Sequence, residues 1–214
     1  MKFVKTLLAS AVLAASVGAQ ATVVGSLGGG FGTFLTLSGS GVAGTGGTLS
    51  GSGVSATIVG GNVLTSDQPF ADIPKGGVVG GTFLSAGPSA NNTQPATMTF
   101  ATPVSYLSFL WGSPDMYNQL TINSTGGASQ VFTVGASSLN FSVTNGDQGF
   151  SQYVQFQGLA GSQITSLVFN NVPAVDAFET ANFSITPVPE PETYALMLAG
   201  LAAMGYVARR RKSV

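Results

Sequence analysis

The apolar residues between positions 22 and 186 recur in short stretches with a period of two, and this pattern limits the fold more than any other feature. Val54–Val59 alternates apolar and polar side chains, as a half-buried strand does. No stretch of ten or more residues in this body has a helical period. Asn145-Gly146 predicts a tight hairpin, because both residues tolerate positive φ. Short strands separated by turn residues predict an antiparallel sandwich or barrel, with strands near 97–100, 104–111, 120–122, 131–134, 141–143, 153–156, 164–169 and 177–185.

The first part of this body is rich in glycine. Residues 25–61 contain 14 glycines, mixed with Ser, Thr, Val and Leu. One interpretation is a flexible linker. The other is a set of short strands with loose turns, which we favour because a pure linker would lack Phe31, Phe34 and Leu37. We therefore assign residues 22–186 to one all-β ectodomain that begins with glycine-rich strands and loops at 22–61.

The composition excludes several kinds of chemistry. The chain has seven Lys/Arg, eight Asp/Glu, no His and no Cys. Without His there is no Ser-His-Asp or Cys-His catalysis and no imidazole metal site. Without Cys there is no disulfide, thiolate zinc site or iron–sulfur cluster. Residues 22–186 hold six acids and one base, Lys75, which argues against a nucleic-acid partner because such a partner needs a basic face.

Residues 1–21 have the layout of a secretory signal peptide. Lysines precede an apolar run at about 7–17, and Ala19 and Ala21 occupy the −3 and −1 positions of a cleavage site. The run is too short to cross a bilayer core of about 30 Å as a helix. We expect a signal helix that engages the secretion machinery and is removed by signal peptidase. An ordinary buried helix is the alternative.

Residues 187–214 form a second terminal segment with three parts. They are a rigid acidic stretch, an apolar run and a basic end: Pro189, Glu190 and Pro191, then 195–208, then Arg209, Arg210 and Arg211. A helix over the apolar run would be about 21 Å long, which is short for a permanent transmembrane helix. Basic residues stay on the cytoplasmic side, so the tail is predicted to lie with its N-terminal end outside.

In this order the three parts resemble the PEP-CTERM sorting domain of Gram-negative bacteria. The resemblance rests on Pro189-Glu190-Pro191, Tyr194-Ala195-Leu196, Leu198-Ala199-Gly200-Leu201 and Arg209-Arg210-Arg211, with Tyr194 where the family often has Trp. It implies that exosortase, a membrane-embedded processing enzyme, reads the Pro-Glu-Pro motif. The apolar helix would hold the chain transiently in the inner membrane while the arginines stop its transfer. A plain, unprocessed C-terminal membrane anchor is the alternative.

Two segments of the body, 109–118 and 177–183, also carry a resemblance. They are similar to a recurring ectodomain of PEP-CTERM proteins, with a WGS-x-D-x-(Y)-N centre and an FE-x-DN last strand, over about residues 80–186. The resemblance implies a jelly-roll-like sandwich whose ligand is generally unassigned. Ala181 stands where the family usually has Asp, so a cation-binding role of that Asp does not transfer to this chain.

The same segments contain the candidate ligand-binding residues Trp111, Asp115, Tyr117 and Asn118. Rings such as Trp111 and Tyr117 can stack on sugars, but Trp111 shares a strand face with Leu107 and Phe109, which favours a place in the core. Calcium takes carboxylate and amide oxygens, and no D-x-D-x-D-G loop is present. We expect no required cofactor, with calcium as the plausible cation and candidate ligands at Asp115, Asp147, Asp176 and Glu179.

The body contains few residues that could catalyse a reaction. A glycosidase needs two facing carboxylates, but the pairs Asp67/Asp72 and Asp176/Glu179 are neighbours only in sequence. A Ser–Lys dyad would have to use Lys75, which lies in a Pro-Lys-Gly-Gly turn. We therefore predict that the protein is not an enzyme.

The paired terminal signals and this body predict an exported protein that exosortase sorts to the cell surface or the extracellular matrix. We expect a structural or adhesive role in the envelope or an exopolysaccharide biofilm. The first alternative is a carbohydrate-binding module for matrix glycan, and the second is a glycan-active enzyme.

Overall fold

The computed structural model describes residues 22–39, 44–87, 95–175, 177–185, 200, 201 and 204. The described residues form thirteen strands and one short 3₁₀ turn, Val79–Gly81. The strands are β1 Thr22–Leu27, β2 Thr36–Gly39, β3 Gly47–Gly51, β4 Val54–Val59, β5 Asn62–Leu64, β6 Phe83–Ala86, β7 Ala96–Val104, β8 Tyr106–Gly112, β9 Asn118–Ser124, β10 Gln130–Thr133, β11 Ser151–Leu159, β12 Ile164–Asn171 and β13 Phe178–Ser184.

These strands form two antiparallel sheets. The six-stranded sheet has the order β1-β11-β8-β13-β6-β5, and the seven-stranded sheet has the order β10-β9-β12-β7-β4-β3-β2. Strands that follow one another in the chain often belong to different sheets, as β7, β8 and β9 do. The prediction of an all-β, antiparallel chain is confirmed, while the finer jelly-roll assignment stays a prediction.

One apolar core contains residues from both sheets. Phe109 on β8 stacks on Phe156 of its own sheet at 5.7 Å between ring centroids, and meets Phe169 of the seven-stranded sheet edge-on at 5.8 Å. Such aromatic pairs add to the stability gained from burying the rings. The core explains the period of two in β4, where Ala56 and Ile58 are buried and the intervening residues are exposed.

The glycine-rich part of the chain contributes β1 to β5. Gly46 shows why glycine is needed there. Its φ is +66°, and an added Cβ would lie 2.1 Å from the carbonyl oxygen of Ile58. Only glycine fits such a close backbone approach with positive φ.

The hairpin predicted at Asn145-Gly146 is wrong. No strand starts between Thr133, the end of β10, and Ser151, the start of β11. Residues 134–150 form a long connection whose apolar side chains, Leu139 and Phe141, are buried in the core. Core burial of these side chains determines the path of the chain, and the Gly146 N–H donates to the carbonyl of Pro114 instead.

The predicted signal helix at 1–21 and most of the predicted tail helix lie outside the described residues. Within the tail, Gly200, Leu201 and Met204 are described and are helical. Among the residues that the structure describes, no helix has both the length and the apolar character required to cross a membrane.

Candidate functional site

The two segments singled out in the body lie side by side in the six-stranded sheet. β8 and β13 are antiparallel neighbours, with Gly112 opposite Glu179 and Trp111 opposite Thr180. The Trp111 ring stacks on Phe178 with centroids 4.2 Å apart. The structure thus brings together residues that are more than 60 positions apart in the chain.

Asn118 connects these strands through its side chain. Its Oδ1 accepts hydrogen bonds from the indole N–H of Trp111 at 3.2 Å and from the backbone N–H of Asp115 at 2.8 Å. Its Nδ2 donates to Oδ1 of Asn171 at 2.9 Å and to the carbonyl of Ala177 at 3.2 Å. An Asn amide offers two donors and an oxygen with two lone pairs, so Asn118 is fully bonded inside the protein.

Glu179 is a buried carboxyl, 3% exposed. Burial raises the pKa of Glu179 to about 7, because the charged form is separated from water. The Ser113 hydroxyl, which donates to Oε2 at 2.7 Å, lowers this pKa, as do the backbone N–H groups of Asp72 and Glu179 itself. Near neutral pH this carboxyl therefore exists in both protonation states.

A small, mostly polar pocket opens above Glu179. Its volume is about 180 Å³, and its lining includes Phe70, Ser113, Tyr117, Gln148 and Glu179. Ligand pockets for drug-sized molecules are roughly 300–1,000 Å³. This pocket therefore suits only a small polar group, such as one sugar hydroxyl or a water cluster.

The predicted ligand-binding residues divide into buried and accessible ones. Trp111 and Asn118 are fully buried. The Trp111 ring lies in the core, as the strand face that it shares with Leu107 and Phe109 indicates, so neither side chain is accessible to a ligand in this structure. Asp115 and Tyr117 are partly exposed, and Tyr117 lines the pocket.

The candidate metal ligands are dispersed in the described structure. Asp147 is exposed, and its Oδ1 accepts from the N–H of Gly149 at 2.8 Å, as turn-forming Asp residues do. Asp115 forms an isolated bridge with Asn145. Asp176 lies outside the described residues. Among the residues that the structure describes, no three His, Cys, Asp or Glu side chains form a group able to hold a metal ion.

Asn182, in the segment 177–183, is a positioning residue whose role the sequence pattern does not predict. It has φ +54° inside β13, at a shift in the pairing with β8. Its Nδ2 donates to the Tyr153 hydroxyl at 2.8 Å and to the carbonyl of Gly77 at 2.7 Å, and its Oδ1 accepts from the N–H of Val79. Asn182 thus fixes the 3₁₀ turn over β13. The Asn in a strand-like run was the available signal, because Asn is among the few residues that adopt positive φ readily.

The C-terminal segment, which follows the ectodomain, is the part of the chain that matches a known family model. Residues 187–212 match the family model of the PEP-CTERM protein-sorting motif. No curated protein and no solved structure shows a significant match to the chain. The match confirms the resemblance found in the C-terminal segment, with exosortase as the processing partner that the motif implies. By this motif the chain is an exported, exosortase-sorted protein destined for the cell surface.

Proposed function

We propose that the ectodomain is a non-catalytic, structural or adhesive module of the cell envelope or the exopolysaccharide matrix of a Gram-negative bacterium. The observation that carries this proposal is that characteristic side chains of the two motif segments, 109–118 and 177–183, are buried and bonded inside the protein. Trp111, Asn118 and Glu179 are at most 3% exposed, and each forms hydrogen bonds that hold neighbouring segments together. The residues that make the body distinctive therefore serve to fix the fold.

The pocket supports the non-catalytic part of the proposal. Glycoside hydrolysis uses two carboxyl groups on opposite sides of the scissile bond. In the described part of the chain, Glu179 is the one carboxyl that lines this pocket. Its main hydrogen-bond partner, the Ser113 hydroxyl, is a structural contact between β13 and the end of β8.

The sorting route is tested by intact-mass analysis and cell fractionation in strains with and without exosortase. We expect the chain to lose the segment after about Pro189–Pro191 only in the competent strain, and to leave the inner membrane there. Replacing Pro189, Glu190 and Pro191 by Ala gives the matched control, which should behave as in the deficient strain. Full-length protein that stays in the inner membrane of competent cells would contradict the proposal.

A second candidate function is binding of matrix glycan. The observation that favours it is the outer face of the seven-stranded sheet, where exposed side chains of β2, β3 and β4 are mainly Ser and Thr. The processed protein, probed on a glycan array with and without added calcium, tests this function. Absence of binding under both conditions would remove it.

A further inference from the structure

The outer face of the seven-stranded sheet has an unusual composition. None of its seven strands contains Asp, Glu, Lys or Arg, whereas about a quarter of the residues of an average domain are charged. Most exposed side chains of β2, β3, β4 and β7 are instead small hydroxyl ones, although Val59 and Ala101 are also exposed. Seven of the hydroxyl residues are Thr36, Ser38, Thr48, Ser50, Ser55, Thr57 and Thr99. We call this set the hydroxyl face.

The strand register aligns these hydroxyls in rows. Ser38 lies opposite Thr48, Thr48 opposite Thr57, and Thr57 opposite Thr99. Residues directly opposite one another point to the same side of a sheet, and adjacent strands are about 4.8 Å apart. A second row, two residues away along the strands, contains Thr36, Ser50 and Ser55.

Beyond Thr99, the first row continues into side chains that are hydrogen-bonded within the protein. Ser166 pairs with Thr99, and its Oγ accepts a hydrogen bond from Asn123 at 2.8 Å. The hydroxyls of Thr48, Thr57 and Thr99 have no protein partner among the described residues. They are therefore donors and acceptors that a ligand can use.

The hydroxyl face is concave. A groove of about 460 Å³ runs over β3, β4 and β7. Hydroxyl residues alternate along its lining with apolar ones, so that its surface is more apolar than polar: Thr48, Ser50, Ser55, Thr57 and Thr99 with Leu49, Ala56, Phe100 and Ala101. This volume lies within the range of roughly 300–1,000 Å³ typical of ligand sites. The groove is open, as a site for one segment of a long polymer must be.

The uncharged, hydroxyl-rich composition of the hydroxyl face favours some classes of macromolecular partner over others. Nucleic acids and acidic polysaccharides need cationic side chains, and the seven strands have none. Cores of protein interfaces are enriched in aromatic residues and Arg and depleted in Ser, whereas the exposed positions of β2, β3, β4 and β7 carry several Ser, no aromatic residue and no Arg. A neutral chain with many hydroxyl groups matches rows of uncharged hydroxyl donors and acceptors.

We propose that the hydroxyl face, centred on Thr48, Thr57 and Thr99, binds a neutral polysaccharide. This inference rests on the second candidate function above and deepens it, since it names the class of glycan and the surface that binds it.

The test uses the processed protein isolated from exosortase-competent cells. Binding isotherms are measured on cellulose, mannan, dextran and xylan, with alginate as the acidic comparison. The test variant is Thr48→Val, Thr57→Val and Thr99→Val combined, which removes three hydroxyls but keeps the β-branched shape that strands favour. The control variant, Ser137→Ala, Ser142→Ala and Thr144→Val combined, removes three hydroxyls from the connection between β10 and β11.

The unmodified protein should bind at least one neutral glycan and should not bind alginate. The test variant should bind it about tenfold or more weakly, because each lost neutral hydrogen bond costs roughly two- to tenfold in affinity. The control variant should bind normally, and urea unfolding should show that both variants remain folded.

Three results would overturn the inference: binding to none of the four neutral glycans, preference for alginate, or full binding by the folded test variant. If the folded test variant still binds a neutral glycan fully, the hydroxyl face is not the binding surface, although the second candidate function itself survives. Unprocessed protein in the inner membrane would instead contradict the sorting route, so the two failures are distinguishable.

Discussion

Two buried polar side chains, Asn118 and Glu179, hold the motif segments together, and they differ in how burial affects them. Asn118 is neutral, and all its bonding capacity is used inside the protein. Glu179 is titratable, and burial penalises its charged form. Removing the Asn118 side chain therefore leaves its partners without hydrogen bonds, whereas replacing Glu179 changes how the stability of the fold depends on pH.

Asn118→Ala is expected to destabilise the ectodomain by about 3 kcal/mol or more, since each buried partner left unbonded costs roughly 1–3 kcal/mol. The Trp111 indole N–H and the Asn171 side chain are the partners most affected, because both are buried. Urea unfolding measures the loss. Asn145→Ala, at an exposed position, is the control and should change stability little; equal stability of the two variants would contradict a structural role for Asn118.

Glu179 predicts an unusual dependence of stability on pH. Its pKa is raised from 4.5 to about 7 in the folded state, so the folded chain binds a proton more tightly than the unfolded chain. The contribution of Glu179 protonation to the free energy of unfolding is fully present below about pH 4.5, and it is lost as pH rises through 7. The loss is about 3 kcal/mol across this window, an order-of-magnitude value from about 1.4 kcal/mol per pKa unit.

Glu179→Gln tests this dependence because it keeps the shape and stays neutral. The change in unfolding free energy between pH 5 and pH 7.5, measured with urea, should be about 2 kcal/mol more negative in the unmodified protein than in the variant, since this window covers most but not all of the titration. Asp147→Asn, which removes an exposed carboxyl, should keep the parent dependence. If Glu179→Gln also keeps it, Glu179 is not the group responsible.

At the scale of elements, glycines set the geometry of the first sheet strands, but for different reasons at different positions. Gly46 and Gly53 both have positive φ, +66° and +77°. A Cβ on Gly46 would collide with the Ile58 carbonyl, whereas a Cβ on Gly53 would meet no atom within 4 Å. The two positions therefore separate the cost of backbone conformation from the cost of space.

Gly53→Ala should cost about 1 kcal/mol, the usual penalty of a left-handed conformation for a residue with a Cβ. Gly46→Ala should cost about 3 kcal/mol or more, since β3 and β4 must also separate to relieve the contact. Thermal unfolding of the two variants measures both values. Equal costs would show that the close approach at Gly46 relaxes easily.

The period-two pattern was sufficient to predict elements whose burial alternates. β4 begins and ends where the pattern predicts, and Leu107, Phe109 and Trp111 are buried in one core as their shared face indicates. The hairpin at Asn145-Gly146 was not predictable, because local turn preference there is outweighed by burial of Leu139 and Phe141. Strand pairing between distant segments, such as β8 with β13, leaves no local pattern in one sequence.

At the scale of the whole molecule, the two sheets have different surroundings. The six-stranded sheet is covered in part by the connection between β5 and β6, where Phe70, Ile73 and Val78 pack on a second apolar cluster that contains Phe83 and Ala181. The hydroxyl face of the seven-stranded sheet is exposed. Candidate residues in the motif segments are predictable from the sequence, but the hydroxyl face depends on the register of four strands, which only the structure provides.

The basic end of the C-terminal segment leads to a prediction about sorting. Arg209, Arg210 and Arg211 follow the apolar run, and cationic residues resist passage through a membrane, at roughly 2.5–3.5 kcal/mol for each residue at the bilayer centre. Replacing all three by Gln should let the tail pass through the inner membrane before exosortase acts, so that unprocessed protein accumulates outside it.

Fractionation followed by intact-mass analysis measures this outcome in exosortase-competent cells. Lys75→Gln, which removes the one base of the ectodomain, is the control and should be processed normally. If the Gln variant is cut as fast as the parent, the arginines do not hold the tail in place, and the Pro189-Glu190-Pro191 motif with its apolar run is sufficient for sorting. If the variant stays uncut outside the inner membrane, the basic end keeps the motif in the membrane long enough to be read.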